Sequence, residues 1–411
     1  MSAAQQAKDN LTDNQSTYEK FFSGALCILP VAAMIMPRAL TVLPAVAALL
    51  ALALYRVYKG RWPRIEALPF IWVGVLLALM GASALWSVDA ESSIERTMKT
   101  APILLGGALL FSLARGEDGA YFRSWFPFAF LSACAAILIE FCAGAPFYHL
   151  VHERAAEGME QNLFYLNRSV ALLIIMAPLA VTCVSVSAFE KSFKWILYAL
   201  FAASVAAVLY KTDSQSAQLA VIVGAFFYAL YPARRRGAWV AAASVLGALV
   251  LAAPWIAQAM FHAIPAYAEG SSFVTRGSGL QRLEVWDFIA RRALERPFHG
   301  HGVEATRAIT DFDSAMLYHG TREAMHPHNF ALQLWIEFGI WGPVFAAAFF
   351  AAVLRGTQKL EPLYARTSVT VLFTAVSVAA TGYGLWQGMW IGAFGMLFAF
   401  CVLAANKKPA G

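Results

Sequence analysis

The sequence predicts an all-α, polytopic membrane protein, and three observations carry that expectation. Apolar residues make up 60% of the chain and charged residues only 14%, against roughly a quarter charged in soluble chains. Apolar runs of about twenty residues recur from Phe21 to Ala405, each long enough to cross a hydrocarbon core of about 30 Å as a helix. Ala, Gly and Ser are dense within those runs, which suits helices that approach closely in lipid.

In chain order, residues 1–19 form a segment of mixed charge, MSAAQQAKDNLTDNQSTYE, which is expected to lie in the cytoplasm. It lacks the basic start of a cleaved signal peptide, and a second run follows almost at once after Pro37 and Arg38. About twelve spans are expected, near 20–37, 39–55, 68–86, 101–114, 124–143, 168–187, 195–209, 216–231, 238–256, 329–353, 366–383 and 385–404. The fourth and seventh are short, and the last two read equally as a broken pair. Nine spans thus fill 20–256 and three fill 329–404, before a short tail at 405–411.

Cations set the expected direction. With the amino terminus inside, the basic loops RVYKGRWPR (56–64), PARRRG (232–237) and RGTQKLEP (355–362) face the cytoplasm, as does the tail with Lys407 and Lys408. The opposite loops are mixed or acidic, for example SVDAESSIERTMKT (87–100). The isoelectric point near 9.0 therefore reports cytoplasmic anchoring and requires no nucleic acid. Residues 257–328 form one large periplasmic loop, and a loop that long usually has a function. Within it, Val285, Trp286, Ile289, Ala290 and Ala293 recur at helical spacing, which predicts an amphipathic helix stopped by Pro297. The five cysteines all fall in or beside spans and read as small apolar residues rather than a disulfide or metal set.

Ionisable groups next to lipid are costly unless they face water or a partner. Six of the eight histidines lie in the large loop: His262, His299, His301, His319, His326 and His328. The other two, His149 and His152, lie in another outer loop. The stretch HPHNFALQLWIEFG, His326 to Gly339, is the most informative. Pro327 pushes His326 towards an extended conformation, and Asn329 is a good cap for the apolar run behind it. His328 is thereby held at the mouth of a helix, where an imidazole can take a proton near neutral pH. The residues alone equally allow two interfacial histidines bonded to nearby carbonyls. A metal-ligand pair is a third reading, without a supporting cluster of ligand spacing. Glu337, inside the expected tenth span, is expected to face a structural partner.

His328-Asn329, then nine intervening residues, then Gly339-Ile340-Trp341-Gly342, resembles the signature of O-antigen ligases within the O-antigen ligase and polymerase superfamily. Other stretches agree in order. SALWSVDAESSIERTMK is similar to a serine–tryptophan motif after an early span, and FYLNRSVALLIIMAPLA to an asparagine-bearing start of a middle span. RLEVWDFIARRALERPFHGHGVE is similar to a loop pattern of an arginine, a tryptophan and a closing glycine pair. The resemblance covers most of the chain and implies a membrane-embedded, GT-C-like glycosyltransferase working at the periplasmic face of the bacterial inner membrane. It implies a glycan on undecaprenyl pyrophosphate as donor, a sugar hydroxyl of lipid A–core as acceptor, no cofactor, and no metal.

The chemistry then asks for one base near the acceptor hydroxyl and for cations around a diphosphate that already leaves well. The resemblance assigns these roles to His328 as general base and Arg282 as the first cation. Arg276, Lys211 and Arg168 are further substrate-binding candidates, with His326, Asn329, Gln215 and Asn167 beside them. Many relatives carry Ser-Arg in the turn after the seventh span, where this chain has Ser214-Gln215. Lys211 is the expected substitute for that charge, or else an ordinary interfacial lysine. Arg96 and Lys99 read as interfacial charges. Single displacement implies inversion at the anomeric carbon. An O-antigen polymerase, a protein O-oligosaccharyltransferase and a secondary transporter stay open as alternatives, the last disfavoured because the two halves show no symmetry.

Overall fold

The computed structural model describes residues 3–151, 166–212, 214–268, 279–309 and 326–407, and among these every regular element is helical. The amino-terminal half comprises α1 (Ala3–Ile35), a 3-10 turn (Pro37–Thr41), α2 (Leu43–Lys59), α3 (Ala67–Ser83), α4 (Ala90–Arg115), α5 (Ala120–Cys142), the short α6 (Pro146–Val151) and α7 (Asn167–Val186). Then come α8 (Lys191–Lys211), α9 (Gln215–Leu230), α10 (Ala238–Leu251), α11 (Ala253–Ala268), α12 (Gly279–Glu295), α13 (Ala305–Ala308), α14 (Phe330–Phe338), α15 (Trp341–Thr357), α16 (Pro362–Thr381) and α17 (Gly388–Ala405).

Each of the twelve expected runs falls on a helix or helix pair. Among the described residues seven helices are long and apolar enough to cross a bilayer alone, including α4, α5, α7, α8, α16 and α17. An eighth span forms if α10 and Ala253–Ile264, bent by 69° at their break, count together. Helices α3, α9 and α15 are apolar but shorter. The chain is thus a multi-pass membrane protein. The fourth and seventh spans, short in the sequence, gain length because charged residues join the helix at its ends. Asp89 caps α4 by accepting from the Ser92 amide at 3.0 Å, so the helix starts well before the apolar run.

Helix α4 packs most extensively on α17, with further close pairs between α10 and α15, α1 and α5, and α9 and α16. The first contact depends on two missing side chains. A Cβ on Gly395 would lie 2.8 Å from the Gly107 Cα, so the two backbones touch, as small residues permit in membrane bundles. The buried side chains divide into two clusters. One centres on α1, α5, α7 and the inner part of α17. The other joins α12, α14 and α15 to α16.

The expected tenth span is the main correction. The run 329–353 is one unbroken apolar stretch in sequence, yet the helix ends at Phe338 and restarts at Trp341. At the break Gly339 adopts φ 60°, and a Cβ there would sit 2.6 Å from the Pro297 carbonyl oxygen. The loop Pro297–Gly302 fills the gap. His301 N donates to Ile336 O at 2.7 Å, Gly302 N to Glu337 O at 2.9 Å, and Ile340 N to Pro297 O at 2.7 Å. The first two satisfy carbonyls at the end of α14 and the third satisfies the Ile340 amide before α15, groups that helix ends leave without partners. Non-helical backbone survives in an apolar run only where protein supplies such bonds.

The same loop clasps the turn after α3. Trp86 Nε1 donates to His299 O at 2.7 Å, Val88 N to His301 O at 3.0 Å, and Ser93 Oγ to Val303 O at 2.8 Å. Three stretches far apart in sequence thereby lock together. Glu337 is their fastening, as expected of a structural residue. It is fully buried and accepts from Trp386 Nε1 at 2.5 Å, Gln333 Nε2 at 3.0 Å and Glu304 N at 3.2 Å.

Candidate active site

Asn329 caps α14 as expected, its Oδ1 accepting from the amides of Ala331 at 3.0 Å and Leu332 at 3.2 Å. The residue before it takes a conformation that its local sequence does not signal. His328 has φ 53°, in the left-handed region. A non-glycine residue there costs about 1–2 kcal/mol and persists only where its surroundings hold it. The surroundings are identifiable. Its Nδ1 lies 2.8 Å from Gly382 O, and the preceding carbonyl, that of buried Pro327, accepts from Trp286 Nε1 at 2.7 Å. Since a carbonyl can only accept, Nδ1 carries the proton and Nε2 the lone pair in the neutral ring.

Helix α12 supplies that tryptophan for the reason its periodicity gives. Val285, Trp286, Ile289, Ala290 and Ala293 are all buried, and the helix stops before Pro297 as expected. One turn before Trp286, Arg282 Nη1 donates to Thr381 O and, at 3.4 Å, to Ser216 Oγ. Burial pulls the guanidinium below the usual arginine range, with Tyr383 opposing the shift. The imidazole of His328 and the guanidinium of Arg282 therefore bind consecutive carbonyls, Gly382 and Thr381, at the end of α16.

From there the turn Gly382–Gln387 acts as a platform. Arg168 stands over the Tyr383 ring, 6.0 Å from its centroid. Burial pushes the Tyr383 phenol up to about 12, against the pull of Arg168 and Arg282. Gly384 leaves room for His326, since a Cβ there would lie 2.3 Å from the His326 Cδ2. His326 Nε2 meets Gln387 Nε2 at 3.1 Å, and its ring lies 4.2 Å from that of His328 between centroids. Burial, followed by the charges of His328, Arg307 and Arg168, holds His326 down to about 3.

The other expected residues take varied places. Asn167 accepts from Thr212 Oγ1 at 2.9 Å, tying the start of α7 to the turn that Lys211 and Gln215 flank. Lys211 is exposed and Gln215 opens α9 half-buried. Ser214 caps α9 and Ser216, two residues on, reaches the platform by donating to Thr381 O at 3.1 Å. Arg276, His152 and His319 lie outside the described residues. Among the described residues no three His, Cys, Asp or Glu side chains group as metal ligands. Sequence reasoning missed the platform itself: Gly382, Tyr383, Gly384 and Gln387. Its signal was available in TGYGLWQG, where three glycines, two aromatics and a glutamine separate the last two apolar runs.

A family model described as O-antigen ligase matches residues 197–347, which include Lys211, Arg282, His326 and His328. A Rickettsia conorii protein named "Putative polysaccharide ligase" is 24% identical over 75% of this chain and 73% of its own length. Similarly named proteins of Rickettsia prowazekii and Rickettsia typhi are 29% and 27% identical over 28% of this chain and 30% of theirs. No solved structure matches. This multi-pass helical chain therefore carries a segment similar to the O-antigen ligase model, and over most of its length it is similar to a protein named as a polysaccharide ligase.

Proposed function

We propose that this chain transfers a glycan from undecaprenyl pyrophosphate to a sugar hydroxyl of lipid A–core, at the periplasmic face of the inner membrane. One observation carries the reading. His328 and Arg282, distant in sequence, are held side by side on the consecutive carbonyls of Gly382 and Thr381. A base and a cation that share one support are what this transfer needs.

In this mechanism His328 Nε2 takes the proton of the acceptor hydroxyl as its oxygen attacks the anomeric carbon. The bond from that carbon to the diphosphate oxygen breaks on the opposite face, so the configuration inverts. Arg282, with Arg168 across Tyr383, meets the charge that grows on the leaving diphosphate. Among the described contacts Arg282 uses only Nη1 on the protein, so Nε and Nη2 remain to donate to phosphate oxygens. The diphosphate leaves well unaided, so the mechanism calls for neither nucleotide nor metal.

The test is reconstitution of purified protein with lipid-linked glycan and lipid A–core, without nucleotide and with chelator, followed by separation of the products by size. A larger lipopolysaccharide band is expected, and its loss in His328→Asn. Asparagine tolerates the left-handed region and can donate to Gly382, so the fold should survive while the base does not. Near-normal transfer by His328→Asn would overturn the base assignment. A lengthened lipid-linked glycan in place of lipopolysaccharide would mark a polymerase.

A further inference from the structure

Away from the histidines, a groove of about 380 Å³ opens between the 3-10 turn, the starts of α2 and α4, and the start of α17. Its walls include Thr41, Ala45, Ile103 and Gly388, and its rim carries Arg96 and Lys99. The volume falls in the range of about 300–1,000 Å³ typical of small-ligand sites. Gly388 keeps it open, because a Cβ there would lie 2.6 Å from Thr41 Cγ2 and 3.0 Å from Ile103 Cδ1. Both rim cations are ion-paired, and a third cation stands behind one of the pairs. Arg96 Nε pairs with Glu304 Oε1 at 2.6 Å, Arg307 Nε pairs with the other oxygen of that carboxylate at 2.5 Å, and Lys99 pairs with Glu95. Arg307, off the groove, shares Glu304 with Arg96, so that carboxylate is divided between two cations.

We infer that this groove is the seat of the acceptor: an acyl chain of a phosphate-bearing glycolipid enters the apolar walls while its phosphate meets Arg96 and Lys99. The inference rests on the transfer reading above, which already places the donor diphosphate at Arg282 and Arg168. A two-lipid reaction needs a second amphiphile site beside the base, and the groove is joined to it through consecutive residues. Arg96 Nη1 donates to Trp386 O at 3.3 Å, Gln387 touches His326, and Gly388 lines the groove. Apolar walls with a cationic edge fit an anionic lipid and no free sugar.

Two variants of different chemistry test this: Lys99→Glu, which reverses a rim charge, and Ile103→Trp, which fills the groove. In phosphatidylcholine nanodiscs, fluorescent lipid A–core binding is measured without donor, and transfer is measured at varied concentrations of each substrate. Binding and acceptor KM should each weaken about tenfold in both variants, with donor KM and the rate at saturating acceptor within about twofold of wild type. Dephosphorylated lipid A–core should bind wild type as weakly as the phosphorylated form binds Lys99→Glu. The inference fails if acceptor binding is unchanged in both variants, if donor KM rises instead, or if phosphatidylglycerol or undecaprenyl pyrophosphate-linked glycan displaces the probe as well as lipid A–core does. Groove-dependent binding without any transfer by wild type would instead defeat the transfer reading and leave the groove standing.

Discussion

Trp286→Phe isolates the contact that aims the histidines. The indole N–H donates to the Pro327 carbonyl at 2.7 Å, and both residues are buried. Phenylalanine keeps an aromatic ring in the apolar face of α12 but leaves that carbonyl without its donor. An unsatisfied buried acceptor costs about 1–3 kcal/mol, and the smaller ring adds about 1 kcal/mol for the space left behind. Much of this penalty can be relieved locally, by letting His326–Asn329 shift towards water. A shift of 1–3 kcal/mol changes the docked fraction of a two-state segment by about 5- to 150-fold. A displacement near 1 Å at the base costs about 100-fold in rate. The expected outcome is therefore a 10- to 100-fold lower kcat with donor KM changed less than about threefold, because Arg282 lies one turn away and keeps its own bonds. Steady-state transfer in proteoliposomes, normalised to folded protein by gel filtration, reads both. A normal kcat would refute the reasoning, and so would a loss that only tracks the amount of folded protein.

Three further outcomes follow from the same contacts. Gly384→Ala places a methyl group 2.3 Å from His326 Cδ2, so the His326 ring must move; transfer should fall about tenfold with little change in thermal stability, checked by a paired kinetic and melting assay. Glu337→Ala strips the acceptor from Trp386 Nε1, Gln333 Nε2 and Glu304 N, which should cost about 3–5 kcal/mol, visible as a lower melting temperature and poor yield, with Glu337→Gln partly restoring both. Acid should destabilise the protein through His326. The folded state resists protonating this residue until about 3, whereas an unfolded chain protonates it near 6.5; between those values the unfolded state binds more protons, so stability falls as pH drops. Burial holds His301 below its ordinary value with the same sign. His326→Gln should flatten the acid limb of a melting-temperature profile, and an unchanged profile would remove His326 as its cause.

The residues explain how far the sequence could be read. Helical runs were legible because lipid selects continuous apolarity, and so were the ends that carry side-chain signals: Pro297 after α12, Asn329 before α14. Glu337 was legible as a group needing a partner, because an isolated carboxylate in an apolar run is too costly to stand alone. The break at Gly339 was not. Apolar residues continue across it, from buried Ile336 and Phe338 to exposed Trp341, and the loop that satisfies its backbone lies in another part of the chain. The left-handed His328 was hidden for a related reason, as its conformation is imposed by Trp286 and Gly382 from outside its own segment. The resemblance pointed to Arg282 and His328, but only tertiary structure could show that they bind neighbouring carbonyls.

That shared support has an electrostatic consequence. The last carbonyls of a helix carry partial negative charge, equivalent in sum to about half an elementary charge at the C-terminus. Helix α16 ends at Thr381, and its end receives Arg282 and His328 on adjacent oxygens. When the proposed base takes a proton, its imidazolium forms against that negative end, so positive charge is stabilised as it appears rather than before. Arg282 is held by the adjacent Thr381 oxygen in advance, and its presence alone would disfavour a second cation close by. The carbonyls offset that repulsion. A loop in place of the α16 terminus could position the two side chains but would lack the aligned dipoles. Lengthening the Gly382–Gln387 turn by one residue would therefore be expected to cost catalysis even if both side chains regained their distances.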